Sequence, residues 1–188
     1  LFGNLHLSEK MDCTTETLCK TIKDWDGNSI DVRQQQDAQS FLLSFLDKLE
    51  EELKQCGDKD LFARTLCGTM LNQLIYGEEM REREEAFTCI SVEVKNSRNL
   101  AEALDKFVAH DTIGGFNWDD DHKNVDIQKR NVLGQLPNTL IMHLNRFTMN
   151  LDTFMTEKLN TRFEFPSELD MEPYTKAGVQ RRAQASQG

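Results

Sequence analysis

The chain has 188 residues, a formal net charge of −10, 38% hydrophobic and 29% charged residues, which suits one soluble globular domain and is short for two. Ten glycines and three prolines exclude a collagen-like or low-complexity chain. The acidic balance argues against a nucleic-acid-binding face and favours a basic partner or tail, and the lack of about 18 consecutive apolar residues argues against a membrane span.

The N-terminal stretch LFGNLHLSEK has none of the parts of a signal peptide and no domain-start signal at Leu1, so the chain reads as one entered midway. Cys13, Cys19, Cys56, Cys67 and Cys89 are odd in number and include no C-x-x-C pair. Reduced thiols in a cytoplasmic or nuclear protein are expected.

Thr14 to Trp25 is a short helix candidate with Leu18 and Ile22 on one face, ended by Asp26-Gly27-Asn28. From Asp31 to Lys54 the apolar positions Ala38, Phe41, Leu42, Phe45, Leu46, Leu49 and Leu53 step by three and four. They predict one long amphipathic helix, with Asp31 and Gln34 as a capping box and Gln55-Cys56-Gly57 as the stop. Leu61 to Ile75 is mixed. Glu78 to Glu85, EEMREREE, reads as a solvated turn or helix face.

FTCISVEV, residues 87–94, sets Ile90, Val92 and Val94 on one side of a strand. Asn99 to His110 reads as a helix capped by Asn99, with Leu100, Ala103, Leu104, Phe107 and Val108 on its face. Gly114-Gly115 is a breaker pair. LPNTLIMHLNRF, residues 136–147, is apolar on both faces and predicts a central strand. Phe163-Glu164-Phe165-Pro166 is a short extended piece. VQRRAQASQG, residues 179–188, lacks periodicity and reads as a tail. The whole predicts an α+β fold: a helical first third, then strand-rich sequence with one or two helices.

A nucleophilic cysteine needs a base, usually histidine, that the fold brings close. His6, His110, His122 and His143 lie in no pattern that marks a base, and Cys67 and Cys89 have no activating neighbour in the sequence. Residue by residue, no catalytic residue can be assigned. Asp119-Asp120-Asp121-His122 lacks the alternation and central glycine of an EF-hand loop. Three adjacent aspartates on an extended chain point in alternating directions, so they cannot all ligate one ion.

Several motifs together resemble the ubiquitin-specific proteases, papain-like cysteine deubiquitinases. Gln35-Gln36-Asp37-Ala38-Gln39-Ser40-Phe41-Leu42 resembles that family's QQDAQEFL box, and Glu84-Glu85-Ala86-Phe87-Thr88 its E-x-F strand entry. Asn99-Leu100 through Phe107-Val108 resembles its NL…L…FV helix. Lys129-Arg130, Leu136-Pro137 and His143-Leu144-Asn145-Arg146-Phe147 resemble its KR…LP…LxLKRF core strand. Lys158-Leu159-Asn160, Phe163-Glu164-Phe165-Pro166 and Leu169-Asp170-Met171-Glu172-Pro173-Tyr174 resemble the segment C-terminal to that strand, the last most like the large fat-facets-like branch.

The resemblance implies a thumb–palm–fingers fold truncated at both ends, with residues 1–60 as the thumb remainder, 61–178 as fingers and palm, and 179–188 as a tail. It implies deubiquitination, the thiol-dependent hydrolysis of the isopeptide bond at ubiquitin's C-terminus, with ubiquitin and ubiquitinated proteins as partners and no nucleic acid, membrane or cofactor. Gln35 and Asp37 would line the channel for the ubiquitin tail, whose arginines suit a carboxylate, and Arg146, Phe147 and Lys158 would contribute from the palm. Asp37 also reads as a first-turn residue favoured by the helix dipole.

Two departures matter. The family's nucleophile box, GNTCYxNS-like, and its histidine box, GHY-like, are absent, and Ser40 stands where the QQDA box has glutamate. The chain itself is therefore expected to be inactive, and a catalytically inactive ubiquitin-binding or scaffolding domain is the alternative. Secondly, many family members fix their fingertips with zinc on two C-x-x-C pairs. Alignment puts those positions near Leu74 and Gly77 and near Trp118 and Asp121, none of them cysteine. A metal-free fingertip is expected, with Asp119-Asp120-Asp121-His122 as a solvated turn. Adventitious divalent-ion binding by Asp121 and His122 is the remaining option there.

Overall fold

A computed structural model describes residues 1–23, 27, 28, 31, 33, 35, 37–57 and 60–185. The chain forms two compact units, Leu1–Asp58 and Lys59–Gly188.

The first unit is helical: α1 (Phe2–Leu7), α2 (Glu16–Thr21) and α3 (Ala38–Gln55). Asp37, not Asp31, caps α3, accepting a hydrogen bond from the Ser40 amide at 2.7 Å. The helix therefore starts later than the apolar spacing alone suggests. Gln34 of the expected capping box, like Trp25 and Asp26 at the expected end of α2, lies outside the described residues. The stop falls where Gly57 was expected to permit it: the Cys56 amide closes the last turn onto Glu52 and Leu53, and Gly57 has φ +94°. Phe41 and Phe45 stack with centroids 6.2 Å apart, and Leu46 is the buried residue of α3.

The second unit opens with α4 (Leu61–Leu66), then β1 (Gly68–Tyr76) and β2 (Glu79–Phe87). The charge run is thus a strand, not a turn or helix face. It survives as one because β2 is an edge strand, hydrogen-bonded to β1 along the whole of its length with its outer side in water. β3 (Cys89–Glu93) and α5 (Leu100–Phe107) follow, then β4 (Asp111–Phe116) and β5 (Val125–Leu133). The long sheet runs β2-β1-β5-β4. The Gly114-Gly115 pair does not end an element: it makes a register shift inside the β4–β5 pairing, and Gly115 takes φ +71°.

β6 (Ile141–Asn145) pairs with β3 in parallel, Ile90 opposite Met142 and Val92 opposite Leu144. Among the described residues it has this one partner, so it is not the central strand its two apolar faces predict, and all five of its residues are only half-buried. Ile90, Val92 and Val94 do share the buried side of their strand. They pack with Leu100, Ala103 and Leu104 of α5 and with Val132 and Leu133 into the main core, which Phe163, Tyr174 and Val179 extend. Asn99 caps α5 by accepting from the Glu102 amide at 2.8 Å. The Phe163 segment makes no strand; Glu164 bridges to Asn99, which seats Phe163 in the core and leaves Phe165 outside.

Beyond β6 lie β7 (Phe147–Met149), β8 (Thr156–Lys158), a 3₁₀ turn at Glu172–Tyr174 and α6 (Lys176–Ala185). Most of the expected tail is therefore helix. Its periodicity was invisible because α6 buries only Gly178 and Val179. A Cβ on Gly178 would stand 2.0 Å from the Glu172 carbonyl oxygen, so only glycine allows α6 to lie this close to the 3₁₀ turn.

Candidate functional site

Arg146 and Phe147 join β6 to a short hairpin. β7 and β8 pair antiparallel, Phe147 opposite Lys158, Thr148 opposite Glu157 and Met149 opposite Thr156. Directly opposed residues in such a pair share a face, so the Phe147 and Lys158 side chains leave the hairpin on the same side. Phe147 is 55% exposed. The loop folds on Asn150, whose Oδ1 accepts from the Asp152 amide (2.9 Å) and the Thr153 amide (3.3 Å). Met149, Leu151, Phe154 and Met155 are exposed around it.

Arg146 is half-buried, and its guanidinium donates to the carbonyls of Leu159 (3.3 Å) and Thr161 (3.2 Å). It also lies 5.8 Å from the centre of the Phe163 ring. The Leu159 amide donates back to the Arg146 carbonyl at 2.6 Å. Arg146 thus fixes the path of the chain that leaves β8, which fixes Lys158 as well. Gln35 and Asp37 belong to the first unit, both exposed. One carboxylate oxygen of Asp37 holds the Ser40 amide, so the cap reading of this residue is realised. Cys89 is no activated nucleophile: burial pushes its thiol pKa up.

In the β4–β5 turn, Asp119 Oδ1 accepts from the amides of Asp121 (3.0 Å) and His122 (2.7 Å), and His122 Nδ1 lies 2.9 Å from it. The backbone amide of His122, first among these contacts, holds the Asp119 carboxyl below the usual aspartate range. Residues 119–124 are exposed, the solvated turn the sequence suggests. The zinc site that the family resemblance raises does not fit here. Leu74 and Gly77 have no ligating side chain, Trp118 offers only an N–H donor, and Asp121 is a single carboxylate where a tetrahedral site needs about four ligands. Among the described residues, no three His, Cys, Asp or Glu side chains converge as a metal site.

A polar cluster under the long sheet was missed by sequence reasoning. Gln73, 1% exposed, donates to Glu82 (2.6 Å) and accepts from Arg130 Nε (2.6 Å). Lys176 of α6 donates to the other Glu82 oxygen at 2.8 Å, and Arg130 Nη1 lies 3.1 Å from His110 Nε2. Hydrogen bonds from Lys176 and then Gln73 hold the Glu82 carboxyl below its ordinary range. Burial, then the Arg130 charge, pushes the His110 pKa down. One sequence signal existed. In EMRERE, residues 79–84, arginines 81 and 83 fall on one face of a strand and glutamates 82 and 84 on the other.

The fold is that of the papain-like ubiquitin proteases. The solved structure of the SAGA Ubp8/Sgf11/Sus1/Sgf73 DUB module bound to ubiquitin aldehyde superposes with TM-score 0.65 at 23% identity, covering 76% of this chain and 33% of that one. The ubiquitin carboxyl-terminal hydrolase family model matches residues 1–187, and the chain belongs to that family. Similar curated proteins include mouse ubiquitin carboxyl-terminal hydrolase 9X, 36% identical over 184 residues and 95% of this chain. The probable ubiquitin carboxyl-terminal hydrolase FAF of Drosophila melanogaster is 36% identical over 158 residues, 81% of this chain. Mouse ubiquitin carboxyl-terminal hydrolase 24 is 34% identical over the whole chain. The chain spans 6–7% of the length of these relatives. Among the described residues, no helix is long and apolar enough to cross a membrane.

Proposed function

We propose that this chain supplies ubiquitin-binding and scaffold parts of a ubiquitin-specific cysteine protease. The observation that carries the reading is the family match along residues 1–187, which takes in both segments expected to meet the ubiquitin tail. In the reaction a thiolate attacks the carbonyl carbon of ubiquitin's terminal glycine, the substrate amine leaves with a proton from histidine, and water hydrolyses the thioester. Residues of this chain would act by binding and orienting. The Asp37 carboxylate would take charge-assisted hydrogen bonds from a tail arginine, with Gln35 beside it. Phe147 and Lys158 would present an aromatic face and a donor, held in place by Arg146.

The test is NMR titration of isotope-labelled ubiquitin with the full chain. Asp37→Asn keeps the helix cap while removing the charge, so it should weaken shifts at the ubiquitin tail and leave the fold intact. Unchanged tail shifts in Asp37→Asn and Lys158→Glu would refute the assignment. The alternative is ubiquitin binding without hydrolysis, since this chain has neither the nucleophile box nor the histidine box of the family. A ubiquitin probe with a thiol-reactive C-terminus, applied to the full-length protein, separates the two: labelling supports hydrolysis, and none of these five cysteines should carry the label.

A further inference from the structure

We infer that the fingertip of this protein is a metal-independent latch closed by Trp118. Backbone pairing between the two long hairpins runs out early: the β1–β5 ladder ends at Ile75 opposite Gln128, leaving the tip of each hairpin beyond it. At that point side chains take over. Trp118, in the β4–β5 connection, is 2% exposed although its neighbours Asn117 and Asp119 are exposed. Its indole Nε1 donates to the carboxylate of Glu79, the first residue of β2, at 2.7 Å. Arg81 donates to the Trp118 carbonyl at 2.6 Å, and its guanidinium carbon sits 4.0 Å from the ring centre.

One residue is therefore gripped by one acid and one base from the opposite hairpin, on its ring nitrogen, its carbonyl and its π face. Tyr76, the last residue of β1, adds ring contacts to Trp118 at 5.9 Å and to His122 at 5.3 Å. Phe116 meets Trp118 from β4 at 6.4 Å. The cluster joins the same two turns that a pair of C-x-x-C motifs would clamp, and the residues at those positions do not fit zinc. A buried indole satisfied at its N–H, with an arginine over its face, is a sound non-metal substitute: the ring itself is out of water, while Glu79 and Arg81 reach its N–H, carbonyl and π face from exposed positions on β2.

The experiment is hydrogen exchange with mass spectrometry on the full chain, with metal content measured in parallel. Expected results are no stoichiometric zinc after growth with added zinc, and amide protection at 76–82 and 116–125 that a strong chelator leaves unchanged. Trp118→Ala should speed exchange in both turns by about tenfold or more. Trp118→Phe, which keeps a ring but loses the donor, and Glu79→Gln should give smaller increases at the same amides, and they stand in if Trp118→Ala does not fold. One zinc per chain whose removal unprotects the tip would overturn the inference. So would fingertip exchange in Trp118→Phe and Glu79→Gln equal to that of the unmodified chain.

Discussion

Gln73 and Glu82 face each other in register across the β1–β2 pair and share a hydrogen bond of 2.6 Å. Gln73 is the buried hub: one end of its amide serves an acid, the other a base, Arg130. Gln73→Leu leaves both charged partners without this contact. It should destabilise the second unit by about 2–3 kcal/mol, read from urea unfolding.

The pH dependence comes from Glu82. Its carboxyl is held below the ordinary value of 4.5, chiefly by Lys176. A depressed carboxyl contributes stability that is present above its unfolded pKa and disappears as pH falls through the folded one. Thermal midpoints should therefore drop as pH is lowered through and below that ordinary value. The gap between the unmodified chain and Lys176→Met should be widest near neutrality and close in acid. A gap independent of pH would refute this role for the ion pair.

Gly178→Ala forces a methyl group against the Glu172 carbonyl, where an ideal Cβ would come within 2.0 Å. Either α6 or the 3₁₀ turn must shift, at a cost of about 1–3 kcal/mol. Faster hydrogen exchange at residues 174–182 should mark the damage.

Asp37→Ala removes the acceptor for the Ser40 amide and should cost about 1 kcal/mol of α3 stability, while Asp37→Asn should cost much less. Circular dichroism melts of the two variants read the difference. This separates the cap from any role of the charge.

Leu104→Ala strips a fully buried side chain from the α5 face that meets Val92 and Val132. A loss of about 2–5 kcal/mol is expected in chemical denaturation.

How much of the fold was legible in the sequence depends on where water lies. α5 and β3 each press one face on apolar neighbours, so their periodicities are written in Leu104 and Val92, while α3 keeps its period around the buried Leu46. β2 was not legible as a strand because most of its side chains face water, and charge there says little about backbone. α6 was not legible because two small buried residues make no period. The partners of β6 depend on long-range pairing, which no local window contains. At the site, Phe147 and Lys158 were each visible through the family's motifs, but their opposition across one hairpin is a fact of register. The Trp118 cluster joins residues far apart in the chain, and only the fold brings Glu79 and Arg81 to that indole.

The contact between Lys176 and Glu82 spans 94 positions of sequence. During synthesis the β1–β2 hairpin is complete long before its cation exists. At roughly 5–20 residues per second, the nascent hairpin waits on the order of 5–20 s for Lys176 to be made. Over that interval Glu82 has only Gln73 and, later, Arg130 to hold it, so the first-made half of this sheet is at its weakest while it is still attached to the ribosome.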